Sequence, residues 1–89
     1  MTAVYCKVLN QFSAEFDDEI VILNVDRAIY FGLRGAAVQI WHELAKPKSK
    51  TQLCQAVMAH FEVSAEECEA DVQQVLTDLQ TEGLIECAK

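Results

Sequence analysis

Catalysis or cofactor binding in this chain would have to rest on three serines, two histidines, four cysteines and three glycines. Ser13, Ser49 and Ser64 stand outside any G-x-S-x-G elbow, the strained turn that lifts a nucleophile out of a sheet. His42-Glu43 begins like a zinc-protease helix, but the second imidazole one turn later is replaced by Lys46. His42 and His60 are therefore expected on the surfaces of helices. Cys6, Cys54, Cys68 and Cys87 form neither a C-x-x-C nor any zinc-ligand spacing. They are expected as reduced thiols, some acting as small core residues, with no metal site or disulfide scaffold. Gly32, Gly35 and Gly83 make neither a phosphate loop nor a dinucleotide fingerprint. Carboxylates are plentiful, but none is placed in a dry pocket by its sequence context. The residues point to a protein that is not an enzyme and needs no cofactor.

Composition narrows the alternatives. A length of 89 residues, 52 % of them apolar, is expected to form one folded domain with a single core. The strongest apolar run, Ile20 to Leu23, is four residues, far too short to span a bilayer. The first residues lack the basic flank and apolar core of a secretion signal, so a cytoplasmic location without membrane attachment is expected. Net charge is −7, and residues 51–88 hold eight carboxylates without one Lys or Arg. Phosphate binding needs cations, so nucleic acid is not an expected partner. The acidic half suits a solvated face, or a surface that attracts a basic peptide.

The elements that must carry any site fall into two halves. Phe12, Ala14 and Phe16 alternate as on a half-buried strand. Asp17-Asp18 is turn chemistry. Glu19 to Val25 is β-branched and apolar on both faces, the signature of a central strand. A second turn at Val25-Asp26-Arg27 leads to a third strand, Ala28 to Gly32. Residues 1–10 fit either a short strand or an irregular arm. After Gly35 the period becomes helical: Ala37, Ile40, Trp41 and Leu44 form a stripe that Pro47 closes. Ser49 or Thr51 caps a second helix with Leu53, Val57 and Phe61 at steps of four. Ser64 and Glu67 form a capping box for the third and longest helix, which buries Cys68, Val72, Val75, Leu76 and Leu79. Gly83 closes it in the left-handed conformation, and Leu84-Ile85 follows as a short strand or a clamp on the core. The expected fold is α+β: a three-stranded antiparallel sheet followed by three helices, winged-helix-like.

A meander in sequence order leaves the third strand at an edge, with unpaired backbone groups. Such an edge can accept an extended peptide as an added strand. Tyr30 and Phe31 point to opposite faces, so one ring belongs to the core and the other is available. Two other uses of the same architecture are a winged-helix DNA-binding regulator, which the acidic third helix disfavours, and a homodimer that pairs its own edges.

Three segments in order carry a family resemblance: Asp18 to Asn24 followed by Tyr30-Phe31-Gly32-Leu33; then Ala37, Ile40, Trp41 and Leu44; then Ala70 through Leu79 to Gly83-Leu84-Ile85. Over residues 12–86 the chain resembles the PqqD-like family, the RiPP recognition elements that bind leader segments of ribosomally made, modified peptides. The resemblance implies a leader held as an added antiparallel strand against the third strand, in a groove closed by the third helix. Carried onto this chain, the peptide-binding residues are Arg27, Ala28, Ile29, Tyr30 and Phe31 on the strand side, and Asp71, Val72, Val75 and Leu79 on the helix. The chain is most similar to stand-alone leader-binding proteins of lasso-peptide biosynthesis, which imply a precursor peptide, a leader peptidase and a macrocyclase as partners. The pyrroloquinoline-quinone peptide chaperone is the alternative within the family. Two positions depart from the family pattern: Arg34-Gly35 stands where Asn or Asp caps the first helix, and Arg27-Ala28 where a turn glycine is common.

Overall fold

The computed structural model describes residues 3–8, 11–26 and 28–88. Strand β1 (Val4–Lys7) precedes the meander of β2 (Gln11–Phe16), β3 (Glu19–Asn24) and β4 (Ile29–Arg34). Helix α1 (Ala36–Glu43), the two-residue strand β5 (Lys48–Ser49), α2 (Lys50–His60), α3 (Ala65–Thr81) and β6 (Ile85–Ala88) complete the order. The meander is antiparallel, ordered β2-β3-β4. Its centre is the strand that is apolar on both faces, as expected.

Both turns of the meander use left-handed residues. The two-residue β2–β3 turn puts Asp17 at φ 55°, a conformation that Asp tolerates. The β3–β4 turn puts Ala28 at φ 53°, where a Cβ crowds the following carbonyl. The Arg27-Ala28 pair is where the family resemblance implies a turn glycine. Ala28→Gly relieves a cost of about 1–2 kcal/mol but returns about 0.5–1 kcal/mol through the freer unfolded chain. The expected result is a thermal midpoint raised by roughly 3–5 °C, read by circular dichroism.

Strand β4 runs two residues past Gly32, where the sequence suggested it would end. Leu33 pairs with Ile20 and is only 4 % exposed, so core burial and ladder bonds extend the strand together. Ile20, Ile22 and Leu33 point inward to Ile40, Trp41, Leu44, Leu53, Val57, Cys68, Val72, Leu76, Leu79, Leu84 and Ile85. Among the described residues, the opposite face of the sheet has no helix on it. Phe12, Ala14 and Phe16 lie there, and Phe12 and Phe16 are largely exposed. Their shared face was expected to be half-buried. The helix layer instead covers the face chosen by Ile20 and Ile22, and register with β3 sends the phenylalanines to the other side.

Helix ends follow local chemistry. Gly35, at φ 61°, begins α1 without a side-chain cap. Ser49 caps α2: its Oγ accepts from the Gln52 N–H at 3.2 Å, and Gln52 Oε1 accepts from the Ser49 N–H at 2.9 Å. Phe61 falls just beyond α2 in extended backbone and stays exposed, so the stripe of that helix is Leu53 and Val57 alone. Ser64 Oγ accepts from the Glu67 N–H at the start of α3. At its end Gly83 sits at φ 74°, and the N–H groups of Gly83 and Leu84 donate to Gln80 and Leu79. Those two bonds make a Schellman cap, with Leu79 and Leu84 fully buried beside it.

A second small sheet, ordered β5-β1-β6, resolves both open segments of the sequence. Residues 4–7 are a strand, and Leu84-Ile85 leads into its antiparallel partner, with Lys7 opposite Ile85 and Val4 opposite Ala88. Lys7 also lays its ammonium over the Trp41 ring, 4.2 Å from the centroid, and burial lowers its pKa.

Candidate functional site

The register decides which backbone groups of β4 are free. In the two-residue hairpin, the pair next to the turn, Phe16 and Glu19, must be a hydrogen-bonded pair. Alternation then aims the backbone of Glu19, Val21 and Leu23 at β2, and that of Ile20, Ile22 and Asn24 at β4. Their partners Leu33, Phe31 and Ile29 bond inward. Tyr30, Gly32 and Arg34 therefore turn their N–H and C=O groups to the open edge. Ile29, expected among the peptide-binding residues, turns its amide to β3 instead.

Beside this edge lies a groove of about 160 Å³, lined by Phe31, Gly32, Leu33, Arg34, Ala37, Val75 and Asp78. It is smaller than the roughly 300 Å³ at which drug-sized ligand pockets begin, and it suits a side chain better than a free small molecule. Phe31, Ala37 and Val75 are half-buried against the core and form its apolar floor. Asp78 stands on the α3 lip, where Gln74 Nε2 donates to it at 2.9 Å. Arg34 on the other lip is engaged on the outer sheet face, its Nε and Nη2 donating to Glu19 Oε2 at 2.9 and 2.8 Å.

The residues expected to bind peptide are thus partly gathered. Phe31 and Val75 meet in the groove. Phe31 is the ring that joins the core, whereas Tyr30 is 75 % exposed on the outer face. Ala28 is exposed in the turn, and Ile29 opens the strand. Arg27 lies outside the described residues. Val72 and Leu79 are fully buried within the core and line no groove. Asp71 is exposed one turn before Val75, beyond the groove lining. Gly32, Leu33, Arg34, Ala37 and Asp78 were missed. The signal for them was the length of β4: a strand carried to Arg34 brings its end alongside α3.

Gly32 is informative for what it does not meet. A Cβ built there finds only Glu19 Oε1, at an ordinary 3.8 Å. No internal clash requires glycine, and its bare backbone leaves the edge open to close approach by another chain. On the outer face, Phe12, Ala14, Phe16, Val21, Leu23 and Tyr30 form a continuous apolar surface that reaches this same edge through Tyr30.

Both histidines and two of the cysteines have structural partners. His42 Nε2 donates to Glu15, and His60 Nδ1 to the Ala56 carbonyl at 3.1 Å. Cys54 and Cys68, distant in sequence, come together across α2 and α3, where the Cys68 thiol donates to the Cys54 carbonyl at 3.4 Å. Burial, then the neighbouring Cys68, pushes the Cys54 thiol up, the reverse of an activated nucleophile. Among the described residues no group of three or more His, Cys, Asp or Glu side chains converges as a metal site. Among them, too, no helix is long and apolar enough to cross a membrane.

Comparison with known proteins adds to this geometry. No curated protein matches the chain. The sequence pattern of the family described as coenzyme PQQ synthesis protein D (PqqD) matches residues 19–85. TbiB1 in complex with the TbiA(beta) leader peptide superimposes with a TM-score of 0.84 at 30 % identity, covering 91 % of this chain and 94 % of that one. Lasso peptide synthetase B1 complexed with the leader peptide superimposes with a TM-score of 0.78 at 21 % identity, covering 92 % and 96 %, a likeness of fold. A family pattern spanning β3, β4, all three helices and the start of β6, joined to the close structural likeness of TbiB1, establishes that this chain belongs to the PqqD family.

Proposed function

We propose that this chain is a non-catalytic recognition module for the leader segment of a ribosomally made precursor peptide. The leader adds as an antiparallel strand to β4, and the complex presents the precursor to a leader peptidase and a modifying macrocyclase. The observation that carries this reading is the open edge at Tyr30, Gly32 and Arg34 running beside an apolar groove. The edge offers backbone bonds to almost any extended segment, each worth about 0.5–1.5 kcal/mol net. Up to six such bonds give about 3–9 kcal/mol, from which the cost of association must be taken, so backbone bonding alone falls short of the roughly 8 kcal/mol of a micromolar complex. The groove supplies the rest by burying a side chain, worth about 1.5–3 kcal/mol for an aliphatic or aromatic residue. A leader that pairs with β4 sends alternate side chains down beside Phe31 and Val75 and up beside Tyr30. Affinity and selection thus come from two adjoining parts of one site. The TbiB1 complex, whose protein shares this fold over nearly its full length, supports the assignment.

Titration of the purified protein with a synthetic leader from the precursor gene nearest its own tests this. Saturable binding at micromolar concentration or below is expected. Binding weaker than about 1 mM for every leader encoded nearby overturns the proposal. A parallel titration with a pyrroloquinoline-quinone precursor separates the two branches of the family. The lasso-type leader should bind at least tenfold more tightly.

A further inference from the structure

The wall of the groove contributed by α3 is chemically patterned. Helical periodicity places Asp71, Val75, Asp78 and Glu82 on one side, at steps of four, three and four. Val75 and Asp78 line the groove itself, and Asp71 and Glu82 continue the same side of the helix beyond it. Residues 51–88 contain no Lys or Arg to offset the acids. Among the described residues, the cation on the opposite lip is Arg34, and it is held by Glu19. Among the described residues the Asp78 carboxylate is met by the neutral Gln74 amide. The groove therefore presents an apolar step next to an uncompensated carboxylate.

A strand lying against the free edge meets this wall at fixed intervals. Its residues opposite Tyr30, Gly32 and Arg34 are backbone-bonded and turn their side chains to the outer face. Its residues opposite Phe31 and Leu33 turn theirs into the groove. Two such positions are two residues apart, about 6.8 Å along a strand. Val75 and Asp78 are separated by about 4.5 Å along the helix axis. A long basic side chain readily spans the difference. We infer that the site reads charge as well as shape: the leader carries an apolar residue seated on Val75 and, two positions away on the same side, a Lys or Arg that meets Asp78. The acidic face of α3 is then a specificity determinant and not only a solubilising surface. This rests on leader binding as proposed above.

The probe is the synthetic leader from the precursor gene nearest this one, with copies in which each Lys and Arg is changed singly to Glu. Anisotropy titrations at 50 mM salt are expected to find one reversal that weakens binding at least tenfold. Asp78→Lys should weaken the native leader to a similar degree and restore the reversed one to within threefold of the original affinity. Raising salt to 0.5 M should shrink both gaps. Asp78 is exposed, so the variant should keep its fold, as circular dichroism will check. If the native leader binds but every reversal stays within threefold, or Asp78→Lys restores none of them, the charge reading is overturned while leader binding stands. If the unmodified protein binds no leader, both fall.

Discussion

Gly32→Pro is expected to weaken leader binding tenfold to a hundredfold while leaving the protein folded. The Gly32 amide points to the open edge, so proline removes a donor that β3 does not use and projects its ring toward the incoming strand. Losing a strand-to-strand bond and the close approach costs about 1.5–3 kcal/mol of binding, which is that range of affinity. Proline at the neighbouring Phe31 should act in the opposite sense. There the amide bonds inward to Ile22, and the lost ring is part of the core margin. Phe31→Pro breaks the ladder and removes a packed aromatic, a loss of about 3 kcal/mol or more of stability. Thermal melts of both variants beside leader titrations check the pair. Equal affinity for Gly32→Pro and the parent protein, both folded, would remove strand addition at β4 from consideration.

Trp41→Ala is expected to be the most damaging single truncation. The indole is 3 % exposed, sits on the α1 stripe with Ile40 and Leu44, and carries the Lys7 ammonium on its face. Truncating a buried tryptophan costs about 3–5 kcal/mol. The cation–π contact adds about 0.5–1 kcal/mol. A chain of this length has roughly 4–13 kcal/mol of stability in all. The variant should lose most of its margin, with a thermal midpoint lowered by about 15 °C or more. Chemical denaturation followed by far-ultraviolet circular dichroism measures it. Trp41→Phe, which keeps a ring in place, should recover about half of the loss.

Much of this was legible because it is local. The turn at Asp17-Asp18, the period change after Gly35, the cap at Ser49 and the Gly83 terminator each depend on a few adjacent residues, and each formed. The open edge of β4 followed from strand order alone. What the sequence concealed depends on relations between distant segments. Which amides of β4 are free is set by the length of the β2–β3 turn, through two ladders. Whether Phe12 and Phe16 are covered depends on where three later helices settle. The wall of the groove needed the end of β4 and the middle of α3, more than forty residues apart, to be neighbours. Val72 and Leu79 share a helix with Val75, and only packing shows that they are inside it.

The small sheet of β1, β5 and β6 has a consequence for how the protein is made. Val4 pairs with Ala88 and Lys7 with Ile85, so this ladder closes nearly the whole chain into one loop. The β2-β3-β4 meander and each helix can form as they leave the ribosome, since their contacts are local. β1 cannot complete its pairing so early: its longer partner, β6, follows all of them in the chain. Until then Val4 and Tyr5 have only the two-residue β5 to pair with, and the Leu84 carbonyl that will take the Val8 and Gln11 donors does not yet exist. Completing the small sheet is therefore the longest-range step of folding, a pairing between segments that emerge far apart in time.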